Sequence, residues 1–446
     1  MKNYDLIIIG AGTGGMAAAK KAAEYGVKVA LIEKEKVGGT CLNRGCTPKK
    51  LMVYAADFAL QESLATSFGW QKCNRKIDWS VLMERIHQRL DSISKSFVET
   101  FEEKDIDLIY GTATFTGDRT IQVEDQSLKA DKILIAVGGH PIKPDIPGKD
   151  LAITSRGMFQ LTELPQKLAI VGGGYIGVEF ASMMNAMGSK VVFMDTSKLI
   201  LSGFDRDLRE TVQQALIDRG IEFIGETTAE KITQDKDKLQ LHLSNDKIIT
   251  ADQVLLATGR APSTKSLDLD KTGVETGDKG EIKVDSSCRT KNKDIYAVGD
   301  CIDRVPLTPV AKAEALAVIE TLYGKKTRTL DYNYVTSAVF SRPEAATIGM
   351  NEAEAKDKYG EVKCYSDRVT PMLYSLAPEA EQEQVFIKLV VVGESEKIVG
   401  AHMVGEHAAD MIQCLGVGIR QGITKQDLDD SFGIHPTVGE EFMTMY

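Results

Sequence analysis

The stretch Tyr4-Asp5-Leu6-Ile7-Ile8-Ile9-Gly10-Ala11-Gly12-Thr13-Gly14-Gly15 decides the fold. An unbroken apolar run reads as a strand buried on both faces. A glycine-rich turn follows it, then an alanine-rich segment from Met16 to Tyr25 that reads as a helix, then a second apolar strand from Val27 to Ile32. This is a βαβ opening. Gly10 permits the tight turn, Gly12 lets the backbone approach a pyrophosphate, and Gly15 lets the helix pack close to the strand. The helix N-terminus then faces the phosphates. Glu33 ends the second strand, 23 residues after Gly10, where a carboxylate hydrogen-bonds a ribose hydroxyl.

The pattern returns between Leu168 and Met194, with Gly172-Gly173-Gly174-Tyr175-Ile176-Gly177 as its loop. Its strand-ending acid is Asp195, again 23 residues after the first glycine. The chain is therefore expected to hold two doubly wound dinucleotide-binding folds, one for a resident cofactor and one for an exchanging substrate. A carboxylate at position 195 favours a free ribose 2′-hydroxyl and repels a 2′-phosphate. The following residues, Thr196 to Ser202, include Lys198 and no arginine. NADH is thus the physical preference. The alternative is that Asp195 points to solvent and Lys198 holds a 2′-phosphate. From about residue 331 the pattern changes to strand-like runs (386–392, 399–404) and a helix near 408–421, an α+β arrangement.

The 446 residues are too many for one hydrophobic core and suggest about three domains. A net charge of −10 argues against a nucleic-acid partner. There is no apolar run long enough to span a membrane, and the first residues do not read as a signal peptide, so a cytoplasmic protein is expected. Seven cysteines, five of them scattered, fit a reducing compartment. Only Cys41 and Cys46 are close in sequence. Two thiols five positions apart lie about 140° apart around a regular helix, so they can bond only if the turn is distorted. Gly45 loosens that turn, and Pro48 cannot donate to the carbonyl of Arg44. A metal site would need further ligands, and no histidine lies closer than His87.

These features resemble the pyridine nucleotide-disulfide oxidoreductases, and among them most closely the glutathione reductases. The likeness runs through Gly38-Gly39-Thr40-Cys41 to Cys46-Thr47-Pro48-Lys49-Lys50, Val178-Glu179-Phe180, Ala257-Thr258-Gly259-Arg260, Ile295 to Asp300, and His435-Pro436-Thr437 with Glu440-Glu441. Lipoamide dehydrogenases usually carry serine where Lys49 stands. Mercuric reductases end in a further cysteine pair, absent here.

The resemblance implies an α/β fold with two Rossmann-like domains and a C-terminal α+β dimerisation domain. It divides the chain into an FAD-binding domain (1–140), an NAD(P)-binding domain (141–262), a central domain completing the FAD site (263–330) and an interface domain (331–446). It implies tightly bound FAD, NADH or NADPH as co-substrate, a small disulfide as substrate, and a homodimer that binds neither nucleic acid nor membrane. Cys46 would stack on the flavin and Cys41 would attack the substrate. Lys49 would approach the flavin and pair with Glu179, and Tyr175 would cover the nicotinamide pocket. His435, oriented by Glu440, would come from the partner subunit. FAD contacts would come from Gly10, Gly12, Thr13, Gly14, Gly15, Glu33, Gly39, Thr40, Asp300 and Thr308. Nucleotide contacts would come from Gly172, Gly174, Tyr175, Ile176, Gly177, Asp195 and Gly259.

The chain also departs from the pattern. Thr196 and Ser202 stand where NADPH-binding relatives carry arginines, and Lys20, Leu316 and Phe97 stand where relatives grip glutathione. Glutathione disulfide is the first choice of substrate. Lipoamide, another thiol disulfide, or a flavin-bearing sensor without turnover are the alternatives.

Overall fold

The computed structural model describes residues 1–73, 76–325 and 327–445. The chain folds into two compact units, each assembled from separate stretches of sequence. One comprises Met1–Lys49, Trp79–Ile142 and Gly259–Tyr332. The other comprises Lys50–Asp78, Lys143–Thr258 and Asn333–Tyr446.

The opening strand Lys2–Ile9 lies at the centre of the first unit. It pairs in parallel with Val29–Glu33 on one side and Gln126–Ile135 on the other, with Ile8 level with both Leu31 and Leu134. A strand flanked on both edges and covered on both faces has no polar side to show, which is why its sequence is a continuous apolar run. Ile7, Ile8, Leu31, Ile133 and Leu134 are fully buried. Asp107–Tyr110 and Ile295–Ala297 extend the parallel set, and Thr120–Val123 and Ala113–Gly117 complete a seven-stranded sheet by antiparallel pairing. Before them lies the helix Trp79–Glu103, whose Trp79, Met83, Ile86, Leu90 and Phe101 face inward at helical spacing.

In the second unit a four-stranded parallel sheet runs Glu222–Ile224, Lys190–Met194, Lys167–Val171, Gln253–Leu256. The C-terminal part of this unit is a five-stranded antiparallel sheet built around Val385–Val392 and Lys397–Val404. The helix Ala408–Gln421 packs on it through Ile412, Gly416 and Ile419. A Cβ on Gly416 would sit 2.8 Å from Ile348, so the helix approaches the sheet at glycine distance. The architecture is therefore two Rossmann-like folds plus a C-terminal α+β domain, as expected. Among the described residues no helix is long and apolar enough to cross a membrane.

Candidate active site

The first glycine loop is shaped by backbone crowding. Gly10 has φ +105°, and a Cβ there would lie 2.5 Å from the Ala136 carbonyl oxygen. A Cβ on Gly15 would fall 1.8 Å from the Gly10 oxygen, so only glycine lets the helix Thr13–Glu24 start this close to its strand. Its N-cap is Gly12, which has no side chain to cap the first-turn amides. Those amides and the helix dipole are suited to an anion. Gly39 leans on Gly12 from the other side: a Cβ on Gly39, at φ +58°, would meet the Gly12 Cα at 2.7 Å. Glu33, nearly buried, accepts the N–H groups of Ala11 and Glu35, each at 2.8 Å. Asp300 is the second residue of a helical turn spanning Gly299–Ile302 and pairs with Arg260 at 3.1 Å, and Arg260 also donates to the Gly139 carbonyl at 2.8 Å. An uncapped helix end, a glycine-on-glycine cradle and a fixed carboxylate at the strand tip fit the pyrophosphate and ribose of an adenine dinucleotide.

The second loop repeats this arrangement. Gly172 has φ +114°, and a Cβ on Gly177 would lie 2.0 Å from the Gly172 oxygen. The helix Tyr175–Ala186 again starts from a glycine cap, Gly174. Asp195 does not point to solvent. One carboxylate oxygen accepts the Gly173 N–H, and the other accepts the Ser197 N–H at 2.7 Å. Asp195 therefore stands to its loop as Glu33 stands to the first. Thr196 and Lys198 are exposed. Tyr175 and Ile176 occupy the first positions of the helix, with Tyr175 substantially exposed. Glu179 is buried on the same helix and accepts the Phe340 N–H at 2.8 Å.

The thiols belong to the first unit. The helix Gly39–Arg44 stops at Gly45, and a new helix, Cys46–Ser67, starts at the second cysteine. Gly45 adopts φ −153° and ψ −115°, which is not helical. This break is the distortion that the spacing requires. It lies at Gly45 rather than at Pro48, which falls in the first turn of the second helix where a missing N–H costs nothing. The result is that the Cys41 and Cys46 side chains meet as hydrogen-bonding partners. Thr308, at the start of the helix Thr308–Tyr323, puts its hydroxyl 3.5 Å from the Cys46 sulfur, and Thr13 and Thr308 both hydrogen-bond Cys41. The resemblance implies only cofactor contacts for these two threonines, and their place beside the sulfurs carries no sequence signal. The hydrogen bond to Cys46, then burial, holds the Cys41 thiol well above the usual thiol range.

Near the C-terminus, His435 Nδ1 lies 3.0 and 3.2 Å from the two Glu440 oxygens, so the dyad forms within the chain. Glu440 also accepts the Thr437 N–H at 3.2 Å, which fixes the carboxylate before it fixes the imidazole. Nδ1–H donated to a carboxylate leaves Nε2 as the ring's acid–base atom.

Comparison with known proteins agrees with this geometry. Residues 4–315 match the family model described as pyridine nucleotide-disulphide oxidoreductase, and residues 335–446 match the dimerisation domain of that family. The chain is 41% identical over 457 residues to a glutathione reductase of Nostoc sp., covering 99% of both chains. It is 38% identical to the glutathione reductase of Burkholderia cepacia, covering 99% of this chain and 98% of that one. It is also 38% identical to the chloroplastic/mitochondrial enzyme of Pisum sativum, covering 99% of this chain and 82% of that one. Among solved structures, the HOCl-induced flavoprotein disulfide reductase of Escherichia coli in its Cu(II) complex superposes with a TM-score of 0.89 at 28% identity, covering 99% of this chain and 98% of that one. With two glycine-capped nucleotide folds, a thiol pair at a broken helix and these relatives over its whole length, the chain belongs to the pyridine nucleotide-disulphide oxidoreductases and is an FAD-dependent NAD(P)H disulfide oxidoreductase.

Proposed function

We propose that the protein is a homodimeric glutathione-disulfide reductase that prefers NADH. The observation that carries the nucleotide preference is the seat of Asp195: its carboxylate is pinned to the second glycine loop by the Gly173 and Ser197 amides, in the place that Glu33 takes in the first. A 2′-phosphate there meets a fixed negative charge, and the neighbouring exposed residues offer a lysine but no arginine. The names of the full-length relatives support glutathione as the thiol.

In this reading the first fold, with Gly39, Thr40, Asp300 and Thr308, holds FAD, and the second, with Tyr175 over the nicotinamide and Gly259 beside the loop, admits the nucleotide. The divisions 1–140, 141–262, 263–330 and 331–446 serve FAD binding, nucleotide binding, completion of the FAD site and dimerisation. Bound FAD supplies the two-electron relay from nicotinamide to the cysteines, with Lys49 and Glu179 as supporting charges. The Cys41–Cys46 disulfide takes up two electrons and one proton, leaving a thiolate on Cys46 and a thiol on Cys41. Cys41 loses its proton to His435 of the partner subunit and attacks one sulfur of the substrate. The first product thiol leaves with that proton, and a mixed disulfide remains. The Cys46 thiolate then attacks Cys41 sulfur, the second product leaves as a thiolate that takes its proton from water, and the internal disulfide re-forms. A base at Cys41 suits a thiol that Cys46 and burial hold above the ordinary range.

Steady-state kcat/KM for glutathione disulfide with NADH and with NADPH tests the proposal, beside dihydrolipoamide with NAD⁺. Faster turnover with NADPH would show that Asp195 does not set the preference. Turnover of dihydrolipoamide but not glutathione disulfide would replace the substrate.

A further inference from the structure

Under the Gly299–Ile302 turn lies a buried carboxylate that the reaction above does not use. Glu314, on the helix Thr308–Tyr323, is 1% exposed. One oxygen accepts the Gly299 N–H at 2.7 Å, and the other accepts the Tyr332 hydroxyl at 2.9 Å. Arg304 donates to the Tyr332 oxygen at 3.3 Å and is held in turn by the carbonyls of Val284 and Asp285, at 3.1 and 2.7 Å. Burial pushes the Glu314 carboxyl above its ordinary range, while the Gly299 amide, Tyr332 and Arg304 pull the other way.

A carboxylate removed from water is costly unless its lone pairs are met, and an apolar residue of similar size would avoid that cost. What Glu314 adds over such a residue is a grip on one backbone amide. That amide belongs to Gly299, at φ +75°, and the next residue is Asp300. The Asp300 carboxylate is gripped separately by Arg260. The peptide that presents Asp300 is thus fixed from within by Glu314, while its side chain is fixed from outside by Arg260.

We infer that Glu314 is a positioning residue for the flavin site: it sets the Gly299–Asp300 peptide, and through it the Asp300 carboxylate offered to the ribityl–phosphate end of FAD. The inference rests on the proposed contact between Asp300 and FAD. Release of FAD from the holoenzyme, followed as recovery of flavin fluorescence on dilution, tests it in Glu314→Leu, Glu314→Gln, Asp300→Asn and the Glu314→Leu/Asp300→Asn double variant. Glu314→Leu and Asp300→Asn should each speed release about tenfold or more, the scale of a lost charge-assisted hydrogen bond. Glu314→Gln keeps an acceptor for the Gly299 N–H and should stay within about threefold of the parent. The double variant should release FAD little faster than Asp300→Asn alone, because the two changes act on one contact. Should Glu314→Leu not accumulate as folded protein, Tyr332→Phe, which removes one donor to Glu314, takes its place in the cycle with a smaller effect of the same kind. Normal release from the Glu314→Leu or Tyr332→Phe single variant, or penalties that multiply in the double variant, would overturn the role of Glu314 while leaving Asp300 in place. Unchanged release from Asp300→Asn would overturn the Asp300 contact, and the inference with it.

Discussion

The two dinucleotide folds solve the same geometric problem with different side chains. In both, the first glycine has positive φ and the last sits at a distance from the first that excludes any Cβ. In both, the acid at the end of the second strand accepts two amides, one from the loop residue after the first glycine and one from two positions further along the chain. The difference lies in how the reach is divided. The first fold uses Ala11 with Glu33, and the second uses Gly173 with Asp195. A Cβ added to Gly173 would fall 2.8 to 2.9 Å from the Asp195 carboxylate. A longer acid accommodates the methyl of Ala11, and a shorter one needs the bare glycine. The loop residue and the acid therefore act as a pair, and neither can be read alone.

The most severe way to separate the two folds from their common output is to cut the thiol relay. Cys46→Ser leaves both glycine loops intact, so FAD should stay bound and NADH should still bleach the flavin. Disulfide reduction should fall by about 10³-fold or more, the scale on which loss of a covalent participant acts. Cys41→Ser should be equally inactive but keep a long-wavelength absorption band from the Cys46 thiolate. Rapid-mixing spectra of the two half-reactions check both, and normal turnover in either variant would remove the relay.

The folds also differ in what is buried beneath them. The second unit buries Lys388 against Asp205, Asp207 and Glu352, and His402 stands 4.0 Å from Asp205 with its Nδ1 2.6 Å from the Thr347 hydroxyl. Burial lowers the His402 pKa to about 4 from an ordinary 6.5. The folded state then binds fewer protons than the unfolded state between these values, so stability contributed by neutral His402 is present above pH 6.5 and lost as pH falls toward 4. The loss is about 3 kcal/mol at most. Asp205 and Glu352, both shifted down, add losses of the same sign at lower pH. His402→Asn should flatten the upper part of this acid profile, measured as the urea midpoint at successive pH values. A parent profile that is already flat from pH 6.5 to 4.5 would show that His402 titrates normally.

The loop-acid pairing is broken most directly by Gly173→Ala. The added methyl must displace the Asp195 carboxylate or the loop, and kcat/KM for NADH should drop about tenfold, or about 1.4 kcal/mol of binding, with FAD content unchanged. Combining it with Asp195→Glu recreates the Ala11–Glu33 arrangement in the second fold and should recover most of the loss. Additive damage in the double variant would show that the two positions are independent.

Much of this was legible in the sequence. The continuous apolar run of Leu6 to Ile9 and the glycine spacing predicted a buried parallel strand and its helix, because crowding at Gly10 and Gly15 admits few alternatives. The equal spacing of Glu33 and Asp195 predicted their equivalent seats. The interruption between the cysteines is legible in Gly45, where the backbone does break, whereas Pro48 sits harmlessly in the first turn of the next helix. Glu314 and the coupling of Gly173 to Asp195 were not legible. Both depend on distances between residues whose separation in sequence carries no period.

The smallest change tests the proposed NADH preference by offering the second fold a partner for a 2′-phosphate. Thr196 is exposed beside Asp195, and Lys198 is exposed two residues on. Thr196→Arg adds a guanidinium whose fork matches a phosphate, but Asp195 remains fixed by its two amides and, on the proposed reading, would still repel that phosphate. A solvent-exposed charge contact contributes up to about 1 kcal/mol, so kcat/KM for NADPH should rise no more than about fivefold, with NADH little altered. The gain should shrink as salt is raised, since an exposed contact is screened within about 10 Å at 0.1 M ionic strength. A much larger, salt-insensitive gain would mean that Asp195 yields its seat readily. In that event the rigidity shared by the two folds would belong to Glu33 alone.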